Sequence, residues 1–105
     1  MIEITKKSGI TMLECTDGKE RIGYILFARE EILEIVDLVI FEEKNSFLAD
    51  GLLRAALNSG RLEGIKEAFS KNMSIEKYLK ALGFTLCDGE LFVKIEDVLK
   101  KCCGR

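Results

Sequence analysis

The hydrophobic pattern changes its period once, at Phe41, and that switch limits the topologies open to this chain more than any other feature. Before it, every segment reads with period two. Met1–Lys7 alternates Ile2 and Ile4 with polar residues, and Lys7-Ser8-Gly9 breaks it from Ile10–Thr16. Asp17-Gly18 supplies a positive-φ dipeptide for a tight hairpin. Arg21–Arg29 places Ile22, Tyr24 and Leu26 on one face and Gly23, Ile25 and Phe27 on the other, so a strand covered on both sides is expected. After a turn at Glu30-Glu31, Ile32–Phe41 is almost wholly aliphatic and is the candidate central strand. Four such segments predict an antiparallel meander.

Beyond Phe41, helical and extended periods alternate. Glu42–Ser46 is a polar loop, and Asn45 or Ser46 is expected to cap a helix beginning near Phe47. Leu48, Leu52, Leu53, Ala56 and Leu57 form its apolar stripe, Arg54 faces away, and Gly60 is the expected stop. Ile65–Ser70 reads as a strand, and Asn72 or Ser74 opens a helix that ends at about Leu82 before Gly83. Phe84–Cys87, Asp88-Gly89 and Glu90–Ile95 predict a second hairpin, with a short helix over Glu96–Cys103. The expected fold is α/β (α+β): a mixed, mostly antiparallel sheet of about six to seven strands with two main helices. In such sheets a ligand sits where the connectivity changes, here Val39–Leu48.

Composition narrows the chemistry. A chain of 105 residues with 48% hydrophobic and 32% charged side chains matches one globular domain over residues 1–105. The absence of His excludes imidazole bases, Ser-His and Cys-His nucleophiles and His-ligated metals. The net charge of −2 argues against nucleic acid as a partner, and no apolar run approaches a membrane span or a secretory leader. Residues 1–43 carry five basic and ten acidic side chains, whereas 44–105 carry eleven and eight, so the second part could face a small anion. A cytoplasmic location is expected, with Cys15, Cys87, Cys102 and Cys103 as thiols. Cys15 and Cys87 are expected to be small buried hydrophobes. Adjacent Cys102-Cys103 lacks metal-ligand spacing, so no metal site is expected, and a thiol sensor there ranks third among the functional readings.

Two segments carry a family likeness. Lys44-Asn45-Ser46-Phe47-Leu48-Ala49, followed by Leu52-Leu53, resembles the pyrophosphate loop and helix of the GNAT superfamily of acyl-CoA-dependent N-acyltransferases. The family pattern there is Arg or Gln, two variable residues, Gly, one variable residue, then Gly or Ala. Lys44 keeps the charge without the planar fork, Phe47 replaces the central glycine, and Ala49 matches. Asn72 and Leu82-Gly83-Phe84 also stand at the family's separation, while Leu79 occupies its tyrosine position and Tyr78 lies one residue early, about 100° around the helix. The resemblance covers nearly the whole chain, less the two helices that the family places between its first and second strands.

That resemblance implies an acyl-CoA binding site, acetyl-CoA or another acyl-CoA being the co-substrate of transfer to a small-molecule or peptide amine. Backbone groups of Val39 and Ile40 would meet the pantetheine, Lys44, Ser46, Phe47, Leu48 and Ala49 the pyrophosphate, and Asn72 the same cofactor from the next strand. For the base, Glu34 is preferred to Asp37; alternation puts the two on opposite faces of their strand. Tyr78, although one place early, is the candidate acid, with Cys87 ranked behind it. The rival reading is a catalytically inactive GNAT-like domain that serves as a binding or dimerisation module, its phosphate space filled by the Phe47 ring. Open sheet edges and the missing helices suit a homodimer.

Overall fold

The computed structural model describes residues 2–7 and 9–102, except the side chains of 2–7, Lys44 and 100–102. Seven strands form one sheet in the order β1-β2-β3-β4-β5-β7-β6. The meander consists of β1 (Ile2–Lys7), β2 (Ile10–Asp17), β3 (Glu20–Arg29) and β4 (Leu33–Ile40). It leads through a 3-10 turn, Glu43–Asn45, into α1 (Leu48–Leu62). Strand β5 (Glu67–Ser70) lies parallel to β4, followed by α2 (Glu76–Leu82), the hairpin β6 (Thr85–Cys87) and β7 (Glu90–Lys94), and α3 (Ile95–Cys102). Every other pairing is antiparallel. Strands β1 and β2 pair directly, Ile2 opposite Cys15 through to Lys7 opposite Ile10, with no helix between them. No described helix is long and apolar enough to cross a membrane.

The turns follow from backbone chemistry. Asp88 and Gly89 both take positive φ, 53° and 80°, giving the primed turn whose twist suits a two-residue hairpin. In the first hairpin Asp17 pairs with Glu20, so the turn residues are Gly18-Lys19, one place later than the dipeptide suggests. Gly83 closes α2 with φ 117°, a left-handed cap accessible to glycine.

Three expectations about α1 are corrected. Its N-cap is Phe47 rather than Asn45 or Ser46, and no side chain bonds there. Gly60 does not end it: the helix runs to Leu62, and Gly60 is buried inside it, packed so closely that a Cβ would lie 2.6 Å from Leu33 Cδ1. Arg54 turns inward enough for its Nη1 to donate to the Val98 carbonyl at 3.2 Å, while Nε pairs with Asp50 at 2.8 Å. It thereby ties α1 to α3.

The helices cover one face only. Directly paired residues share a face, so Leu13, Ile25 and Leu38 form one row of the covered face, and Phe27 and Ile35 belong to another. These side chains pack with Leu52, Leu53, Ala56 and Leu57 of α1, Leu79 and Leu82 of α2, Leu91 and Val93 of β7 and Val98 of α3 in one core. The opposite face carries Ile10, Met12, Tyr24, Leu26 and Ala28, all half-buried by their neighbours in the sheet. The expectation of a strand β3 covered on both sides is thus wrong: no described helix packs over that side.

Candidate functional site

The register between β3 and β4 slips once. Leu26 pairs with Asp37 and Phe27 with Ile35, which leaves Val36 as an extra residue in β4. This bulge changes the side-chain parity. Before it Leu33 and Ile35 enter the core, and after it Leu38 does. Glu34, opposite Ala28, and Asp37, opposite Leu26, therefore share the uncovered face. The expectation that they oppose each other is corrected, because strict alternation fails across an inserted residue. Both are half-buried.

Past the bulge β4 leaves its parallel neighbour. Only Leu33–Ala68 and Glu34–Phe69 pair with β5, although β4 continues to Ile40. The two strands splay, and side chains satisfy the carbonyls nearest the opening. Ser70, fully buried, donates through Oγ to the Ile35 carbonyl at 2.8 Å and accepts the Asn72 amide at 3.1 Å. The Asn72 Nδ2 group donates to the Val36 carbonyl at 3.1 Å and to Asp37 Oδ1 at 3.2 Å. Its Oδ1 caps the 3-10 turn Met73–Ile75 by accepting from Ser74 N at 3.0 Å. Asp37 Oδ1 also accepts the Leu38 amide at 2.8 Å. The mouth of the splay is thus a polar clasp, beyond which Leu38, Val39 and Ile40 have no strand partner on that side among the described residues.

The loop entering α1 is wound more tightly than a phosphate cradle requires. The amides of Asn45, Ser46 and Ala49 donate to the carbonyls of Glu42, Glu43 and Ser46, at 2.8, 3.0 and 3.0 Å. An anion would have to open these turns to reach those three groups. Ser46 is exposed, Leu48 half-buried and Ala49 buried against the core. Phe47 is 70% exposed, so its ring is not packed into the core. The side chain of Lys44 lies outside the described residues, as do Cys103 and the side chain of Cys102.

Other candidates stand apart. Tyr78 is half-buried on α2, with Lys77 Nζ 5.0 Å from its ring centre, and α2 packs into the core on the covered face. The structure does not bring Tyr78 together with Glu34. Leu79, the residue aligned with the tyrosine of the resembled family, is fully buried in the core. Cys15 is half-buried against the core, whereas Cys87, expected to be buried, is exposed in the short edge strand β6. A cavity of about 620 Å³ lined by Arg61, Lys66, Glu67 and Lys94 lies at the start of β5, the opposite end from the splay. Sequence reasoning missed Ser70 and the Val36 bulge. The bulge had a signal, since the buried positions step from 33 and 35 to 38; Ser70 had none, because its role depends on what β4 lacks beside it.

No protein-family model and no curated protein sequence matches the chain. Solved structures do. The chain is similar to an acetyltransferase of the GNAT family from Staphylococcus aureus Mu50, with a TM-score of 0.70 and 12% identity over 84% of this chain and 69% of that one. The PaiA N-acetyltransferase of Thermoplasma acidophilum in complex with coenzyme A gives 0.69 and 21%, over 82% of this chain and 61% of that one. A Bacillus subtilis acetyltransferase in complex with CoA gives 0.68 and 12%, over 89% of this chain and 97% of the other, so the two are of similar length. The fold is therefore that of the GNAT acetyltransferases.

Proposed function

We propose that this GNAT-fold chain binds an acyl-CoA in the splay between β4 and β5 and transfers its acyl group to an amine. The observation that carries the reading is the open β4 edge just past the Val36 bulge, in a fold whose solved relatives include CoA complexes. An extended pantetheine chain could add to the backbone of Val39 and Ile40 as a short extra strand. The thioester would then lie near the Leu38 amide, which Asp37 occupies in the free protein. The loop 44–49 would meet the diphosphate once its turns loosen, helped by the partial positive charge at the start of α1. Asn72 acts in this reading as the clasp that sets the opening, its own polar atoms being already bonded.

Glu34 would serve as the base on the uncovered face. It takes a proton from the amine, directly or through water, as the nitrogen bonds to the thioester carbonyl carbon. The C–S bond breaks, and the CoA thiolate leaves with its electron pair and is protonated by water. Tyr78 is left out because it is carried on the other side of the sheet.

Calorimetric titration with acetyl-CoA and with CoA is the test. Ligand at about a hundred times its Kd stabilises the fold by about 2.7 kcal/mol, a rise in Tm that is easily read. Absence of both heat and thermal shift at millimolar ligand would refute the proposal. It would favour the second reading, a non-catalytic module, which the three closed loop amides and the capped Leu38 amide support.

A further inference from the structure

The cavity at the start of β5 gathers charges that do not satisfy one another. Its frame is backbone: the Gly64 amide donates to the Arg61 carbonyl at 3.0 Å, the Ile65 amide to that of Gly60 at 3.0 Å, and the Ile95 amide to that of Lys66 at 2.9 Å. These bonds fix the end of α1, the entry to β5 and the junction of β7 with α3 against one another, with buried Ile65 and Ile95 as an apolar wall. Arg61, Lys66 and Lys94 bring three positive charges to this frame, and Glu67 and Glu96 two negative ones. Elsewhere on the surface opposite charges close into pairs, Arg21 with Glu14 at 2.9 Å, and Arg54 with Asp50 and Lys80 with Glu76 at 2.8 Å. The five around the cavity form no ion pair among the described residues. Asn58 Oδ1 accepts from Arg61 Nε at 3.2 Å and from Nη2 at 2.7 Å, which steadies the guanidinium plane and leaves Nη1 to bond elsewhere.

Volume and charge sign together select a ligand. The cavity's 620 Å³ falls within the roughly 300–1,000 Å³ of small-molecule sites, so a lone inorganic ion would leave most of it unfilled. A phosphate monoester carries close to two negative charges and three strong acceptor oxygens, which suits one guanidinium and two ammonium groups. A second anionic group on the same ligand is disfavoured, because Glu67 and Glu96 would repel it. Hydroxyl groups are welcome there. Each donates its O–H to a carboxylate, and the carbon frame between them and the phosphate can lie on Ile65 and Ile95.

We infer that the cavity between the end of α1 and the start of α3 binds a phosphorylated polyol, its phosphate held by Arg61, Lys66 and Lys94 and its hydroxyls by Glu67 and Glu96. The site lies at the other end of β5 from the splay, and it does not depend on the acyl-transfer reading. The probes are ribose 5-phosphate, ribose, inorganic phosphate and citrate. Ribose 5-phosphate should bind with a Kd below about 1 mM, weaken as salt is raised, and shift the methyl resonances of Ile65 and Ile95 while leaving those of Val39 and Ile40 in place. Ribose and inorganic phosphate each carry half of the recognised chemistry and should bind at least about tenfold more weakly. A Lys66→Gln/Lys94→Gln variant changes two exposed side chains, so it should keep its Tm and lose at least about tenfold in affinity for ribose 5-phosphate. Adenosine 5′-monophosphate measured beside ribose 5-phosphate separates a nucleotide from a free sugar phosphate as the source, the tighter of the two naming it. Absence of binding would overturn the proposal. So would citrate or inorganic phosphate binding as tightly as ribose 5-phosphate, or shifts confined to Val39 and Ile40, which would put the sugar phosphate in the splay; these readings use the unaltered chain. If acetyl-CoA binds and ribose 5-phosphate does not, this site alone is wrong; if ribose 5-phosphate moves Ile65 and Ile95 and acetyl-CoA does not bind, acyl transfer is wrong and this site remains.

Discussion

At the residue scale, two glycines of one helix should respond oppositely to the same substitution. Gly51 of α1 is exposed, and a methyl added there would meet nothing within 4 Å, so Gly51→Ala removes backbone freedom from the unfolded chain at no steric cost. A gain of about 0.5–1 kcal/mol in urea unfolding is expected. Gly60→Ala brings a methyl to 2.6 Å from Leu33 Cδ1, and Leu33 is itself fully buried. Overpacking of about 1–3 kcal/mol should outweigh the propensity gain, giving net destabilisation. Ser70→Ala strips the hydroxyl that serves both the Ile35 carbonyl and the Asn72 amide. It should cost about 1–3 kcal/mol, and an unchanged urea midpoint would show that the clasp contributes nothing.

Elements carry the site more than single side chains do. Deleting Val36 leaves the order Leu33, Glu34, Ile35, Asp37, Leu38, in which core and outer residues alternate without interruption. The fold should therefore survive with a loss of no more than about 2 kcal/mol. The splay should not survive, since the carbonyl that Asn72 holds is gone and β4 can run straight beside β5. Acetyl-CoA affinity is expected to fall by more than about tenfold in the same protein, and full retention would detach binding from the bulge. Arg54 acts between elements, joining α1 to the Val98 carbonyl of α3. Arg54→Ala should raise amide exchange in α3 well before it alters exchange in α1, because the short terminal helix depends on neighbours for its stability.

For the whole molecule, the one-sided core sets where stability resides. Ile25 and Phe27 of β3 and Leu33 and Ile35 of β4 are fully buried between α1 and the rest of the sheet, so their amides should exchange only by global unfolding. The outer hairpin strand β6, with all three residues exposed, should exchange fastest among the strands. Equal protection across the sheet would contradict a core confined to the helical face. The same one-sidedness leaves Glu34 and Asp37 together on the face that no described helix covers.

Much of this architecture was legible in the order of residues. Period-two runs, turn glycines and the Leu48–Leu57 stripe are local signals, and they determined the number of strands, the two main helices and the reversal at Phe41 because backbone sterics and hydrophobic periodicity act over a few residues. The Asn72 cap and the Gly83 stop were equally local. What tertiary structure alone decided depends on partners distant in the chain. Gly60 is a packing glycine rather than a stop because Leu33 fills the space a side chain would need, Cys87 became exposed because β6 lies at the sheet edge, and β3 stayed open on one side because the described helices all pack on the other. The site belongs to the same class: the pairing of β4 with β3 turns Glu34 and Asp37 to one face, and Ser70 and Asn72 bind carbonyls thirty-five and thirty-six residues away. A sequence states which groups need partners, and packing decides which partners they find.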